Sequence, residues 1–350
     1  MKITSLILFL ASFLSIFTSC VSTPPQDSAT SCEYANYFDI VELGASKAVV
    51  IISPYNNSRD TLYINKRFNN IVCMSSSQVA GLAEIGADSV ITAVSGLKYI
   101  TNQNLQNRKV ADIGYEAALD YEKVLSLKPD VLLTYTVSGA EPAYISRLRS
   151  LGVPVLVLHD HLENHPLARA EYIRLYGALT GLEDCADSLF SAISNKYNSL
   201  AVSTKENALR LKVLMNVPYG DAWYIPGGDS YMAKLIQDAG GEVLGSESGT
   251  AASRVVRMEE AYALSQKADI WLNPGACHTR DELVSFHYTF RHFGPIVKGL
   301  PIYNNTLRMT PEGGNDFWES GSVRPDIVLE DLISVFSDQK GGLKYHLKVE

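Results

Sequence analysis

The chain has 350 residues, of which 46% are hydrophobic, and its formal net charge is −8 at pH 7. This length exceeds what one hydrophobic core usually holds, so two domains are expected. The acidic balance, without clustered Lys and Arg, argues against a nucleic-acid-binding surface.

The N-terminus carries an apolar run over residues 3–17, which is long enough for a secretory signal peptide and too short to span a membrane comfortably. Small residues then precede Cys20, an arrangement that resembles the lipobox of bacterial lipoproteins. Residues 1–20 are therefore predicted to be a lipoprotein signal peptide, with Cys20 as the lipidated mature N-terminus. A plain signal peptide cut nearby is the alternative.

Residues 21–70 are predicted to form a polar tether followed by a small β-sheet. Three short β-like runs at 38–43, 47–53 and 61–64 are separated by turn residues, which is typical of antiparallel strands. Four further cysteines follow Cys20, and their wide spacing matches no zinc or redox pattern. Their pairing stays open, and Cys185 is expected to lie in the core.

Two α/β lobes are predicted, at residues 71–181 and 205–337, because β-branched runs alternate with helical patterns in both. The polar tail at 338–350 is expected to fray. A long amphipathic helix at 182–204 lies between the lobes and is expected to act as a rigid strut, since it contains neither Pro nor Gly. Its apolar positions recur every three or four residues: Leu182, Cys185, Ala186, Leu189, Phe190, Ile193, Tyr197, Leu200 and Ala201.

The sequence carries no familiar catalytic or cofactor-binding motif. There is no phosphate-binding glycine loop, no dinucleotide fingerprint and no nucleophile elbow, and the hydroxyls of residues 75–77 are better explained as helix caps or ligand donors. His159 and His161 could contribute to a metal site, but spacing alone does not establish convergence of ligands. The chain is therefore predicted to be neither an enzyme nor a resident metal protein.

Several strings resemble the substrate-binding proteins of ABC transporters for iron chelates and cobalamin. The general strings are IVCMSS at 71–76, DIG at 112–114 and YEKVLSLKPD at 121–130, and the likeness spans about residues 70–337. The more specific strings resemble a lipoprotein branch from Bacteroidetes-like bacteria: LENHPLARAE at 162–171, WYIPGG at 223–228, SYM at 230–232 and GNDFWESG at 314–321.

The resemblance implies two Rossmann-like lobes with parallel sheets, joined by one long rigid helix, and a ligand held between them. It implies no resident cofactor and a cargo that is a ferric siderophore, haem or cobalamin. The expected partners are an inner-membrane permease and its ATPase, and the expected state is a lipid-anchored periplasmic monomer of a Gram-negative bacterium. A lipoprotein that scavenges haem or cobalamin without a permease is an alternative, as is, more remotely, an exported enzyme.

Ligands of parallel sheets bind beyond the carboxyl ends of the strands, and the loops there supply the candidate ligand-binding residues. Hydroxyl and amide groups are expected to donate hydrogen bonds, large rings to cover a flat chelate, and one Arg to pair with an anionic group. The candidates are Ser76, Ser77, Gln78, Tyr115, Tyr135, Trp223, Tyr224, Arg280 and Trp318.

Two carboxylates are candidates for docking to permease arginines, as the resemblance implies for one acidic residue in each lobe. Glu122 lies in the first turn of a predicted helix in the first lobe, and Glu259 is its predicted counterpart in the second lobe, with Glu260 as the alternative. A simpler interpretation is that a Glu in a first turn complements the helix dipole.

Overall fold

The structure is a computed structural model that describes residues 32–44, 46–207, 210–337 and 341–350. The predicted signal peptide and Cys20 lie outside the described residues. No helix in the described ranges is long and apolar enough to cross a membrane.

A three-stranded antiparallel sheet, here called the N-terminal sheet, precedes the first lobe. Its strands are β1 (Phe38–Leu43), β2 (Ser46–Ile52) and β3 (Arg59–Ile64), as the alternating sequence pattern indicates. Strand β2 packs against the last strand of the first lobe. The β2–β3 turn thereby reaches the edge of the lobe at which parallel strands end.

The first lobe contains a five-stranded parallel sheet in the order β6-β5-β4-β7-β8. Its apolar strands are buried on both faces because helices cover them. The strands are β4 (Ile71–Cys73), β5 (Ile91–Val94), β6 (Ala111–Asp112), β7 (Val131–Tyr135) and β8 (Val155–Leu158), and the helices are α1 (Ser76–Glu84), α2 (Gln103–Arg108), α3 (Tyr121–Leu127), α4 (Ala143–Ser150) and α5 (Pro166–Thr180).

The long helix α6 (Glu183–Asn207) follows, and its length of 25 residues corresponds to about 37 Å. Its fully buried residues recur at helical spacing, namely Ala186, Phe190, Ile193 and Tyr197. The helix packs against α5 of the first lobe and against two helices of the second lobe. The predicted strut is therefore present.

The second lobe repeats the plan with a sheet in the order β11-β9-β13-β14-β15, beside a two-stranded ribbon of β10 and β12. Its strands are β9 (Leu211–Met215), β10 (Trp223–Ile225), β11 (Gly241–Val243), β12 (Arg254–Val256), β13 (Ile270–Leu272), β14 (Ile302–Asn304) and β15 (Leu347–Lys348). Its helices are α7 (Tyr231–Asp238), α8 (Met258–Ser265), α9 (Arg280–Phe286), α10 (Gly294–Val297), α11 (Ser320–Val323) and α12 (Pro325–Phe336).

A second connection between the lobes was not predicted. Helix α11 packs against α1 and α5 of the first lobe, and Arg324 joins Glu84 of α1 at 3.1 Å. The lobes are thus held together by α11 as well as by α6. The described residues accordingly belong to a single compact unit.

The prediction that the C-terminal tail frays is wrong for the part that the structure describes. Strand β15 pairs antiparallel with β14, and Tyr345 and His346 are buried. The Asp331 carboxylate of α12 accepts backbone N–H groups of Lys344, Tyr345 and His346 at 2.7–3.2 Å. A carboxylate that satisfies three donors fixes the tail against the sheet.

No disulfide joins any of the four cysteines in the described ranges, and one of them departs from expectation. Cys185 was placed in the core, yet it is exposed on α6. Cys73 is fully buried in β4, where loss of hydration raises the pKa of its thiol. Because Cys185 is exposed, the buried apolar face of α6 is narrower than the sequence pattern indicates.

Candidate functional site

A cavity of about 550 Å³, here called the inter-lobe cavity, lies between the two lobes. Its volume falls within the usual range for small-molecule sites. The first lobe, the second lobe and the N-terminal sheet all contribute to its wall, which is formed by Tyr37, Pro54, Tyr55, His161, Leu162, Glu163, Asn164, Arg169, Pro226, Ser230, Tyr231, Met232, Ala251, Ala252, Ser253 and Trp318.

Aromatic rings form much of this wall. Trp318 is 45% exposed and Tyr55 is 41% exposed, although both are large hydrophobic side chains. Tyr37 adds a ring from the segment before β1, and Tyr231 adds one from the first residue of α7. Such surfaces bind large flat ligands well because each ring can bury 150–250 Å².

Arg169 of α5 provides a positive charge at the cavity wall and links the lobes. Its guanidinium carbon lies 3.9 Å from the centre of the Tyr231 ring, and its Nη2 donates to the carbonyl of His161 at 2.6 Å. Burial raises the pKa of the Tyr231 phenol, so this ring stays neutral under the cation. An anionic group of a ligand would meet Arg169 here.

Two histidines follow β8 at the carboxyl edge of the first sheet. Burial lowers the pKa of His159 to about 4, and burial also lowers the pKa of His161. Both rings are therefore neutral at pH 7. The His161 ring packs edge-on against Tyr135, with ring centres 5.6 Å apart. No group of three or more His, Cys, Asp or Glu side chains in the described ranges is placed to hold a metal ion.

The hydroxyl and amide candidates at the start of α1 mostly build the turn itself. The Ser75 hydroxyl caps the helix, and the Gln78 Oε1 accepts the N–H of Ser75 at 3.1 Å. Gln78 is fully buried, and the Ser77 hydroxyl donates to Asp160 at 2.9 Å. Of the three candidates Ser76, Ser77 and Gln78, only Ser76 is half-buried. Ser77 and the Gln78 Oε1 thus have structural hydrogen bonds, whereas the Gln78 Nε2 is buried without a partner among the described residues, and their ligand roles stay predictions.

The prediction that Trp223 contacts the ligand is not supported, because this residue is only 1% exposed. Its indole N–H donates to the Met215 carbonyl at 2.8 Å, and its ring stacks on Trp271 and Phe293. Strand side chains alternate between faces, which puts Tyr224 on the opposite side, where it is 42% exposed. Trp223 therefore belongs to the core of the second lobe.

The guanidinium of Arg280 is also hydrogen-bonded within the second lobe. Its Nη1 donates to the Pro295 carbonyl at 3.1 Å and its Nη2 to the Leu300 carbonyl at 2.6 Å. These bonds fasten α9 to the loop before β14, so the predicted pairing of Arg280 with a ligand anion is not supported. Arg169, which the sequence did not single out, is the cation at the cavity.

The remaining aromatic candidates differ in position. Trp318 lines the inter-lobe cavity, and its contact with a ligand stays a prediction. Tyr115 and Tyr135 are 46% and 40% exposed at the carboxyl edge of the first sheet, and neither lines the cavity. Tyr135 touches the cavity residue His161. The structure thus brings only one of the nine candidates directly into the cavity wall.

Tyr37 and Tyr55 were missed because nothing in the sequence ties the N-terminal sheet to the cavity. The tie is made by two buried carboxylates of the 162–171 string. Glu163 accepts the N–H groups of Asn36 and Tyr37 at 2.8 and 3.0 Å, and Glu171 accepts those of residues 33–35 at 2.7–2.8 Å. Burial raises the pKa of Glu163, against these hydrogen bonds.

The 314–321 string forms an inter-lobe clasp rather than only a ligand loop. The Glu319 carboxylate accepts the N–H groups of Thr101 and Asn102 at 2.7 and 2.9 Å, and the Thr101 hydroxyl donates to Asp316 at 2.8 Å. A Cβ added at Gly314 would lie 2.0 Å from the Tyr99 carbonyl oxygen, so this close approach requires glycine. Trp318 is held at the cavity by this clasp.

The two candidate docking carboxylates are both exposed in first turns of helices, Glu122 in α3 and Glu259 in α8. Neither has an ion pair within the described ranges. Glu260, the alternative to Glu259, lies 2.6 Å from the Arg254 guanidinium. Glu259 is therefore the carboxylate whose charge remains available.

Comparisons with known proteins agree with this geometry. A model of the periplasmic binding protein family matches residues 71–282. The chain is 25% identical over 285 residues to an uncharacterized lipoprotein of Methanocaldococcus jannaschii. That match covers 78% of this chain and 66% of the relative, so the chain spans just under two thirds of the relative's length.

Solved structures with a similar fold include three binding proteins. A possible iron-binding protein from Staphylococcus epidermidis has a TM-score of 0.60 and 17% identity, covering 77% of this chain and 99% of that one. A periplasmic heme-binding protein from Pseudomonas aeruginosa has a TM-score of 0.60 and 17% sequence identity, and the match covers 81% of this chain and 98% of that one. The vitamin B12-binding protein BtuF of Vibrio cholerae has a TM-score of 0.57 and 11% sequence identity, and the match covers 78% of this chain and 99% of that one. Identities this low establish the fold alone.

Proposed function

Because the chain belongs to the periplasmic binding protein family, whose members are solute-binding transport proteins and not enzymes, we propose that it is the substrate-binding lipoprotein of an ABC importer for an iron chelate. It captures a ferric siderophore or haem in the inter-lobe cavity and delivers the intact chelate to an inner-membrane permease and its ATPase.

The observation that carries this proposal is the inter-lobe cavity itself. Rings from three parts of the chain, Tyr55, Tyr231 and Trp318, line a space of about 550 Å³ beside the Arg169 cation. A flat or aryl-rich chelate with an anionic edge is complementary to such a wall. Cobalamin is the alternative cargo, since it also presents a large macrocycle.

The proposal includes a lipid anchor at Cys20. The relative from Methanocaldococcus jannaschii is named a lipoprotein, and small residues precede Cys20 after an apolar run. The anchored protein would face the periplasm. Processing that is sensitive to globomycin, together with a lipid mass on the N-terminal peptide, would support this anchor, and a Cys20→Ser variant that still fractionates with membranes would contradict it.

The experiment that tests the binding site compares two exposed aromatic residues. Trp318→Ala should weaken chelate binding about tenfold, because a ring that stacks on the ligand is lost. Phe286→Ala is the matched control, since Phe286 is 61% exposed and lies outside the inter-lobe cavity. Equal affinities of both variants and the wild type for every chelate tested would remove the cavity from the account.

A further inference from the structure

A second cavity, of about 410 Å³, lies between the N-terminal sheet and the carboxyl edge of the first lobe. We call it the annex. Tyr55 lines both the annex and the inter-lobe cavity, so the two spaces adjoin at this ring. The annex is lined by Ile51, Ser53, Tyr55, Asn56, Ser58, Arg59, Asp60, Thr136, Ser138, Gly139, Ala140, Glu141, Arg149, Val157 and His159.

The charges in the annex are unevenly paired. Arg149 lies 2.6 Å from Asp60 and 2.8 Å from Glu141, so it is shared by both carboxylates. Arg59 is exposed, and its guanidinium has no hydrogen bond or ion pair within the described ranges. The two arginines and the two carboxylates of the annex give no formal net charge. Of the two arginines, only Arg59 has a guanidinium without a partner in the described ranges. An anionic group that enters the annex would meet it.

A buried polar atom in the annex also lacks a partner. His159 is 5% exposed, and its Nδ1 has no hydrogen-bond partner among the described residues. The Tyr55 ring lies edge-on to it, with ring centres 6.1 Å apart. Leaving such an atom unsatisfied is unfavourable, so a polar ligand group that reached the His159 ring at this wall would stabilise it.

The position of the annex relates it to the ligand. Thr136 and Gly139 follow β7 and His159 follows β8, so its floor is the sheet edge at which ligands of parallel sheets bind. Its other wall is the N-terminal sheet, which precedes the matched family region at residues 71–282. The annex is thus built partly from residues that lie outside the matched family region.

We propose that the annex is a second compartment of the ligand site, which takes an anionic arm of the bound chelate and sets it against Arg59. This inference rests on the proposed function, because the arm must belong to a chelate whose metal-bearing core occupies the inter-lobe cavity. The arm passes Tyr55, the ring that separates the two spaces. The chemical class of the ligand is then a metal chelate with an anionic arm at its periphery.

The test uses two pairs of probes that share a core: haem and its dimethyl ester, which differ in the charge of the propionates, and cyanocobalamin and dicyanocobinamide, which differ in the whole phosphate-bearing nucleotide arm. The purified full-length protein should bind the arm-bearing member of the accepted pair about tenfold more tightly. Arg59→Ala should abolish that difference and leave the affinity for the arm-free member within twofold. Arg67→Ala is the matched control, because Arg67 is exposed and lies outside both cavities.

The outcomes separate this inference from the proposed function. Equal binding of both members by the wild type, or an unchanged preference in Arg59→Ala, overturns the annex while the proposed function stands. Failure of both pairs, together with tight binding of a ferric siderophore that is insensitive to Arg59→Ala, also overturns the annex alone. Failure of every chelate overturns both proposals.

Discussion

Glu319 is a buried carboxyl group whose protonation is linked to the contact between the lobes. Burial is the largest influence on it and raises its pKa to about 7, although the N–H groups of Thr101 and Asn102 act in the opposite direction. A pKa that is higher in the folded state gives a contribution to stability that is fully present below the unfolded pKa of 4.5. That contribution is lost as the pH rises through about 7.

We therefore expect Glu319→Gln to flatten the pH dependence of stability. Relative to this variant, the free energy of unfolding of the wild type should fall by about 2 to 3 kcal/mol between pH 5 and pH 8. Denaturant titrations of both proteins at several pH values measure the difference, in which the other titrating groups cancel. Parallel pH profiles would show that the carboxyl group is not desolvated in the folded state.

At this scale the sequence predicts residue types better than residue roles. Trp318 and Trp223 both lie in aromatic strings, yet only Trp318 reaches the cavity. The side of β10 on which Trp223 falls is set by its pairing with β12, which the sequence does not specify. The position of Arg169 at the cavity could not be predicted from the sequence either, because its place beside Tyr231 depends on how α5 packs against α7.

Among the elements, the N-terminal sheet depends on carboxylates of another element. Glu171 is fully buried in α5 and accepts three backbone N–H groups of residues 33–35, and it also pairs with Arg174 at 2.9 Å. The 162–171 string therefore positions the segment that carries Tyr37. Removal of the carboxylate leaves three backbone donors without their acceptor and takes away one of the three carboxylates that pair with Arg174.

We expect Glu171→Ala to lower the free energy of unfolding by about 2 to 4 kcal/mol. Glu171→Gln should cost less because an amide oxygen still accepts hydrogen bonds. The control is Glu42→Ala on β1, whose side chain is 65% exposed and which should change stability by under about 1 kcal/mol. Denaturant titration decides the matter, and equal midpoints for the two alanine variants would contradict this role of Glu171.

The elements also show where sequence patterns succeed. The strands β4, β5, β7, β8, β9, β13 and β14 and the helix α6 follow from apolar runs and apolar spacing, because these elements bury apolar side chains. The C-terminal strand β15 was missed because it has only two residues and is fixed by Asp331, which precedes its N–H partners by 13–15 residues. Helix α11 was missed because four residues carry no periodicity.

The whole molecule presents two exposed carboxylates on different lobes, Glu122 and Glu259. We expect the double variant Glu122→Arg/Glu259→Arg to bind its chelate within twofold of the wild type but to abolish uptake, because charge reversal turns attraction to permease cations into repulsion. The control is Glu42→Arg/Glu242→Arg, which makes the same change in net charge on two exposed strand positions.

Uptake of radiolabelled chelate by cells that carry each double variant measures this effect. Normal uptake by Glu122→Arg/Glu259→Arg would remove this pair of docking positions, and normal uptake with Glu260 also reversed would remove the docking hypothesis altogether. Loss of uptake in both double variants would mean that net charge, rather than two docking positions, governs delivery.

The central claim is that the inter-lobe cavity binds one intact chelate. Its walls are held by α6, by α11 and by the Glu319 clasp, so the site is largely pre-formed and loses little to ordering. Calorimetric titration of the purified full-length protein with haem, ferric siderophores, cobalamin and free metal ions tests this most directly. We expect one chelate per chain with a Kd near or below 1 μM, roughly −8 kcal/mol or better. Binding of a bare metal ion alone, or of no chelate, would contradict the account.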